Sequence, residues 1–132
     1  MNNHSITLHS PSDFESMKKA GQLASDVLDY LTPFVEPKVT TGFLNDLAHE
    51  YIIGKGAIPA PLNYKGFPKS TCISVNHVVC HGIPGDKKLN SGDILNIDVT
   101  VILDGWYGDT SRMFFAGKPP IKAKRLCDIT YQ

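Results

Sequence analysis

The sequence has no excess of charge of either sign and no long apolar run. Its 132 residues include 13 basic and 13 acidic side chains, so the formal net charge is zero, and no overall field favours nucleic acid or an acidic membrane surface as a partner. No apolar run could span a bilayer, and the polar start MNNHSITLHS lacks the basic-then-apolar pattern of a signal peptide. We therefore expect a cytoplasmic protein with no membrane attachment and no nucleic-acid specificity.

Cysteine is also scarce. The three cysteines, Cys72, Cys80 and Cys127, are odd in number and have no CxxC spacing, which argues against a structural zinc site or a disulfide framework and favours a reducing compartment. The remaining composition, 42% hydrophobic with 9% aromatic residues, is typical of an ordinary globular domain. The sequence therefore predicts one small domain with a locally defined functional site.

The first predicted element is an amphipathic helix that begins after Ser10. Ser10-Pro11-Ser12-Asp13 combines a serine N-cap, a proline at the first helical position and an acid in the first turn. Apolar residues then recur at helical spacing until Pro33 and Pro37 interrupt the pattern. These positions are Phe14, Met17, Gly21, Ala24, Leu28 and Leu31. We expect Met17 and the aromatic residues of this region to lie in the core.

Two further helices are predicted. The second begins near Thr40 or Thr41 and ends at Gly54 or Gly56. Its expected buried stripe is Leu44, Leu47, Ala48, Tyr51 and Ile52. The third spans residues 121–132, with apolar positions at Ile121, Leu126 and Ile129. Because its pattern stops without a capping glycine or proline, we expect the natural chain to continue beyond the last residue.

The region between the second and third helices is expected to be mostly β-structure. Residues 57–69 hold three prolines and a glycine, which predicts a loop. Four β-type runs follow, at residues 70–75, 77–80, 93–103 and 106–115. Asp104-Gly105 separates the last two runs, and such a pair between β-type runs is a strong hairpin signal. The sequence therefore predicts a long antiparallel hairpin.

Two aspartates become neighbours in this hairpin. If Asp104-Gly105 is a two-residue turn, Asp98 faces Ser111 and Asp109 faces Thr100, so the two acids are diagonal on one face. The other face is an aliphatic row that needs covering by helices: Leu95, Ile97, Val99, Val101 and Leu103. Diagonal Cβ atoms lie about 7 to 8 Å apart, which suits a clamp for two metal ions roughly 3.5 to 4 Å apart. The alternative is a wet face with two solvated aspartates, and spacing alone favours that alternative.

A histidine stands in the loop that precedes the hairpin. His81 lies in Cys80-His81-Gly82-Ile83-Pro84-Gly85, whose glycines and proline are typical of a tight turn. A neutral imidazole there could donate a hydrogen bond to a substrate carbonyl or transfer a proton. Taken alone, a loop histidine that bonds to the backbone is the better interpretation. His77, on the predicted strand 77–80, is expected to be structural or exposed.

The stretch from Lys69 to Gly117 carries three specific motifs: CHGIP, NIDVT and DGWYGDTSRMF. With them the sequence resembles type I methionine aminopeptidases of the short, bacterial kind, and the resemblance extends upstream through the first two helices. It implies an α+β fold, namely the N-terminal half of a pita-bread fold, with an antiparallel sheet and helices on its outer face. Residues 1–132 would then form a single incomplete domain.

The resemblance implies a role for each of the polar candidates. Asp98 corresponds to a carboxylate that binds one metal ion, and Asp109 corresponds to the carboxylate that bridges two. The implied cofactors are two divalent ions of the Co, Mn, Fe, Zn or Ni class, which activate water and polarise a peptide carbonyl. His81 corresponds to the catalytic histidine that contacts the scissile region of the substrate.

The resemblance also implies a pocket for the methionine side chain. Tyr64, Phe67 and Cys72 correspond to its lining, and a thioether packs well against aromatic edges and sulfur. Without the resemblance, these residues would be loop anchors and a small buried hydrophobe. The implied substrates are nascent polypeptide N-termini with a small second residue, from which initiator methionine is removed. The implied protein is a monomer, and the basic run at residues 118–125 leaves room for transient ribosome contact.

The remaining metal ligands in such enzymes, a histidine and two glutamates, come from the second half of the fold. After Asp109 this sequence contains no His and no Glu, so we expect the isolated chain to be inactive. Two alternatives remain open: a related pita-bread metallopeptidase, such as a prolidase or proline aminopeptidase, and a non-catalytic pita-bread binding module. The three motifs favour methionine aminopeptidase over the first, and both aspartates argue against the second.

Overall fold

The computed structural model describes residues 6–132, and the first five residues of the polar N-terminal stretch lie outside this range. The described chain contains three α-helices and four β-strands. In chain order they are α1 (Pro11–Leu31), α2 (Thr41–Gly54), β1 (Ile58–Pro59), β2 (Cys72–Val75), β3 (Ile94–Leu103), β4 (Trp106–Phe115) and α3 (Ile121–Tyr131). None of the helices between residues 6 and 132 is both long and apolar enough to cross a bilayer.

Helix α1 begins at the predicted residue. The Asp13 backbone N–H donates to the Ser10 hydroxyl, and the Ser10 N–H donates to the Asp13 carboxylate at 2.8 Å. This reciprocal capping box satisfies backbone donors that a helix start leaves free. The prediction that Met17 lies in the core is wrong: Phe14 and Met17 are 58% and 50% exposed. Burial on α1 begins only at Ala20, so the first turns extend past the part of the helix that packs.

Helix α2 also begins and ends where the sequence predicts. The Thr40 hydroxyl caps it by accepting a hydrogen bond from the Phe43 N–H at 3.1 Å. The buried side of α2 comprises Thr41, Leu44, Asn45, Ala48 and Ile52. Two of these residues are polar, and the apolar stripe did not predict them. The ring of Phe43 is 46% exposed, so the expectation of a core position for the aromatic residues fails here as well.

The four strands form one antiparallel sheet with β3 at its centre. Strand β4 pairs with the whole length of β3, and β1 and β2 pair with the other edge of β3. The predicted loop 57–69 therefore contains the short strand β1, and the predicted strand 77–80 is wrong. Asn76 has a φ of 54°, so the chain turns away from the sheet there and His77 lies in a turn.

The β3–β4 hairpin has the predicted register. Asp104 and Gly105 both have positive φ, 50° and 83°, as a two-residue hairpin turn with the correct twist requires. Asp98 accordingly pairs with Ser111, and Thr100 pairs with Asp109. The two acids are diagonal neighbours on one face of the sheet.

Helices cover the other face of the sheet. The aliphatic row of β3 is fully buried at Leu95, Ile97, Val99 and Val101, and it shares one core with the apolar sides of α1 and α2. Each such side chain contributes roughly 1.5 to 3 kcal/mol when it is fully buried. The backbone of α1 approaches β4 most closely at Gly108, where an added Cβ would lie 2.1 Å from the Ala20 carbonyl. The acidic face is left uncovered by helices.

Helix α3 forms as predicted but contributes nothing to this core. None of its residues is buried. Its predicted apolar positions, Ile121, Leu126 and Ile129, are 86%, 63% and 57% exposed. Helical spacing therefore identified the element correctly, and its apolar positions are exposed in the described chain.

Candidate metal and substrate site

The open face of the sheet forms the floor of a cleft with a volume of about 970 Å³. All the residues predicted for the site line this one cleft: Tyr64, Phe67, Cys72, His81, Asp98 and Asp109. They come from a loop, three strands and a second loop that are up to 45 residues apart in the chain. The fold brings the predicted set together, while the role of each residue remains a prediction.

The two aspartates are placed to share a positive partner. Burial raises the pKa of Asp98, the charge and hydrogen bonding of Asp109 raise it further, and nearby His81 acts weakly in the opposite direction. The Thr100 hydroxyl donates to Asp109 Oδ1 at 3.0 Å and orients that carboxylate. Asp98 is half-buried and Asp109 is exposed. Within residues 6–132, neither carboxylate forms a salt bridge.

This electrostatic situation fits a metal site. Two neighbouring carboxylates raise each other's affinity for any compensating cation, whether a proton or a metal ion. Oxygen donors of this kind suit Mg, Ca or Mn, and they also serve in mixed sites for other divalent metals. In the described part of the chain, however, no group of three or more His, Cys, Asp or Glu side chains is placed to hold an ion. The two aspartates are therefore a partial ligand set.

The position of His81 depends on a close contact between its loop and β2. The Ile73 N–H donates to the Gly82 carbonyl at 2.9 Å, and the Gly82 N–H donates to the Ser74 hydroxyl at 3.0 Å. A Cβ on Gly82 would lie 2.1 Å from the Ile73 carbonyl oxygen, so only glycine fits at this position. His81 itself has a φ of 54°, an unusual conformation that the flanking contacts maintain.

Cys72 forms the inner wall of the cleft beside the acids. It is only 8% exposed and pairs directly with Asp98 in the sheet. Burial raises the pKa of the Cys72 thiol to about 11, and the negative charges of Asp98, Cys80 and Asp109 add to the effect. The side chain is therefore a neutral, small and polarisable surface at physiological pH, which suits an apolar ligand.

The two aromatic residues predicted for the site also line the cleft. Tyr64 is 64% exposed, and Phe67 is half-buried at the end of a short 3-10 turn, Tyr64–Gly66. Asn63 and Lys65 have φ values of 67° and 48°, so the chain turns sharply here. The turn brings both rings to the lining of the same cleft as Cys72 and the acids.

Eight further residues line the cleft without having been assigned a role from the sequence. Three of them carry polar side chains: Lys65, Thr100 and Tyr107. The hairpin register already placed Thr100 and Tyr107 on the acidic face, and only the hydrogen bond to Asp109 reveals what Thr100 does. No sequence pattern predicted that Lys65 lines the cleft, because its position depends on how a loop folds in three dimensions.

Comparison with known proteins decides the family. The model of metallopeptidase family M24 matches residues 15–132. This chain belongs to family M24. Both aspartates lie within the matched range.

Methionine aminopeptidases are among the relatives that this chain resembles. The enzyme of Rickettsia prowazekii (strain Madrid E) is 64% identical over 126 residues, which are 96% of this chain and 49% of that protein. The enzyme of Escherichia coli (strain K12) is 54% identical over 129 residues, again 96% of this chain and 49% of the relative. The chain therefore spans about half the length of the relatives it matches.

A solved structure confirms the fold. The crystal structure of the methionine aminopeptidase from Rickettsia prowazekii superposes with a TM-score of 0.94 at 63% sequence identity, over 96% of this chain and 51% of that one. The expected pita-bread half, an antiparallel sheet with helices on one face, is thereby confirmed.

Proposed function

We propose that this chain supplies the first half of the active site of a methionine aminopeptidase, which hydrolyses the peptide bond after an N-terminal methionine. The observation that carries the proposal is the meeting of Asp98 and Asp109 on the floor of a cleft that His81 and Cys72 also line. Identities of 64% and 54% to enzymes of that name support it. Residues 1–132 would be the first part of one metallopeptidase domain.

We assign Asp98 to one divalent ion and Asp109 to a bridging position between two. Their diagonal placement across β3 and β4 suits that arrangement, and the unpaired negative charge of the two carboxylates favours it. When bound, such a pair of ions lowers the pKa of a water ligand and polarises a carbonyl. The ions would belong to the Co, Mn, Fe, Zn or Ni class.

The chain's own side chains would bind and orient the substrate. Cys72 and the rings of Tyr64 and Phe67 would enclose the methionine side chain between a polarisable wall and an aromatic rim. An imidazole N–H of His81 would donate to the substrate beside the scissile bond, and this interaction would strengthen as charge develops there. The Thr100 hydroxyl would keep the Asp109 carboxylate in its orientation. A small residue after the methionine would be preferred, because the cleft floor is occupied by the acids.

Several wider properties complete the proposal. The substrates would be nascent polypeptide N-termini in the cytoplasm, the enzyme would act as a monomer, and the basic run at residues 118–125 would allow transient ribosome contact. The 132-residue chain on its own is expected to be inactive, because two carboxylates are too few to hold a metal pair firmly.

Metal titration tests the proposal directly. Electron paramagnetic resonance of added Mn²⁺ measures the free ion, and we expect weak, saturable binding by the chain. Asp98→Asn and Asp109→Asn should each remove most of this binding. Asp104→Asn is the matched control: it removes an acid from the same hairpin, at a left-handed turn position that asparagine accepts, and should bind as the wild type does. Equal binding by the Asp98→Asn, Asp109→Asn double variant would refute the assignment.

A second measurement addresses catalysis. The isolated chain, saturated with Mn²⁺ or Co²⁺, should release no methionine from the peptide Met-Ala-Ser above the rate of the Asp109→Asn variant. Release at a clearly higher rate would show that the chain needs no further ligands and would contradict the expected inactivity.

A further inference from the structure

The N-terminal part of α2 contacts the segments next to two residues of the cleft, His81 and Cys72. Thr41 and Asn45 lie four residues apart on one side of this helix, and they are buried, at 3% and 4% exposure. Thr41 contacts the loop that follows His81, and Asn45 contacts the residues that lead into Cys72. One rigid turn of helix thus holds both segments.

Thr41 fixes the loop through Gly85. Its hydroxyl accepts a hydrogen bond from the Gly85 N–H at 3.0 Å and donates to the Gly85 carbonyl at 3.2 Å. The Gly42 N–H donates to the same carbonyl at 2.8 Å. A Cβ on Gly42 would lie 3.0 Å from that oxygen, so the helix and the loop are already as close as their backbones allow. The loop that carries His81 is therefore held against α2.

Asn45 fixes the start of β2. Its side-chain oxygen accepts three hydrogen bonds: from the Ser70 N–H at 3.0 Å, the Thr71 N–H at 3.1 Å and the Thr71 hydroxyl at 3.2 Å. Ser70 and Thr71 are 2% and 0% exposed, so water could not easily replace a lost acceptor. The chain reaches Cys72 at the next residue.

We infer that Thr41 and Asn45 are positioning residues that, together with the direct hydrogen bonds between Gly82 and β2, set the separation between His81 and the Cys72 wall. Neither side chain lines the cleft, so both act through the backbone segments they bind. The inference rests on the proposed function, because that proposal assigns His81 and Cys72 to the substrate. Its test needs neither metal nor turnover, so it can fail independently of the proposal.

Asn45→Ala and Asn45→Asp form the first matched pair. The carboxylate of the second variant keeps the acceptor oxygen, whereas alanine removes it. With iodoacetamide at fixed pH, and with peptide mass spectrometry to separate the cysteines, Cys72 in Asn45→Ala should react on the order of tenfold faster than in the wild type. In Asn45→Asp the rate should lie between those of the wild type and Asn45→Ala, because the acceptor oxygen remains but the hydrogen bond that the Asn45 amide donates to Asp46 at 3.1 Å is lost. Cys127 on α3 serves as the internal reference.

Urea unfolding of each variant separates positioning from general stability. Two factors are compared: the increase in the alkylation rate of Cys72 and the increase in the equilibrium constant for global unfolding. If the two factors are equal in Asn45→Ala, Asn45 only stabilises the fold as a whole, and the inference is overturned. A local effect increases the alkylation rate of Cys72 by more than the unfolding constant increases. It also leaves the reaction of Cys127 unchanged.

The Thr41→Val variant tests the role of Thr41. It also keeps the inference testable if the Asn45→Ala protein does not fold. Valine keeps the shape and removes both hydrogen bonds to Gly85. The readout is amide exchange at Gly82, whose N–H donates to Ser74 and not to Thr41, so a change there reports movement next to His81. We expect exchange on the order of tenfold faster, with recovery in Thr41→Ser. Unchanged exchange at Gly82 would overturn the inference.

Discussion

Replacing Gly108 by alanine should destabilise the protein strongly, because the backbones of α1 and β4 touch at this residue. An added Cβ would lie 2.1 Å from both the carbonyl carbon and the oxygen of Ala20, and 2.5 Å from the Gly21 nitrogen. Ordinary contact begins at 3.4 Å, so the two backbones would have to separate by about 1.3 Å. All the atoms in the clash belong to backbone, and no side chain can rotate away.

That separation determines the magnitude. Helix α1 buries Leu23, Ala24, Val27, Leu28 and Leu31 in the shared core. Moving α1 outward by more than an ångström would loosen several of these contacts at once. Substitutions that severely overpack a core or create a cavity lower the free energy of unfolding by about 3 to 5 kcal/mol, and we expect a loss of this size. Because Asp109 is the next residue, weaker Mn²⁺ binding should accompany the loss of stability.

Gly21 provides the control, on the other side of the same contact. A Cβ on Gly21 meets nothing within 4 Å, and the residue lies inside α1. Gly21→Ala should therefore stabilise the protein by about 0.5 to 1 kcal/mol through helix propensity. Urea unfolding followed by circular dichroism measures both variants. Should Gly108→Ala unfold within about 0.5 kcal/mol of the wild type, a value typical of neutral surface changes, the close packing described for α1 and β4 would be incorrect.

Two further predictions concern ionisable groups. Burial raises the pKa of Asp93, but hydrogen bonds from the Asn90 N–H and the Asn76 side chain outweigh it and leave the pKa below 3.8. Its stabilising contribution is present above pH 3.8 and is lost as the pH falls through the folded-state value. Asp93→Asn should therefore lower the free energy of unfolding by about 1 to 3 kcal/mol at pH 7. The free energy of unfolding, measured with urea, should also decrease less between pH 7 and acidic pH than it does in the wild type; an equal decrease in both proteins would contradict this. Cys72, with a pKa of about 11 and 8% exposure, should react with iodoacetamide at pH 8 far more slowly than exposed Cys80, and comparable rates would refute its burial.

The hairpin could be predicted in detail because its signals are local. Asp104-Gly105 supplies two residues that accept positive φ, and strict alternation along β3 separates the aliphatic row from Asp98. Together these determine the register, and the register places Asp109 diagonally from Asp98. The helix boundaries of α1 and α2 were predictable for the same reason, since caps and prolines act within one turn.

The burial of each residue was less predictable, because it depends on whether another element packs against that side of the helix. Met17 fits the helical spacing of α1 but lies beyond the part of the helix that packs. Ile121, Leu126 and Ile129 fit the spacing of α3 in the same way, and they too are exposed. A periodic pattern shows which residues share a side of a helix, but it does not show whether another element covers that side.

The supports of the candidate site were the least predictable. The hydrogen bonds of Asn45 join residues 25 and 26 positions apart, and those of Thr41 span 44 positions. Nothing local marks such pairs. The close contacts at Gly82 and Gly108 likewise arise only when a loop meets a strand, or a helix meets a strand, in the folded chain.

The sequence by itself therefore determined the three helices, the pairing of β3 with β4 and the shared face of the two aspartates. These follow from short-range backbone preferences and from the two-residue period of a strand. Only the tertiary structure decided how deeply each residue is buried, which loops bring Tyr64 and His81 to one cleft, and which buried polar groups hold the His81 loop and the start of β2. Contacts between distant segments depend on the relative placement of whole elements, and no local pattern encodes that placement.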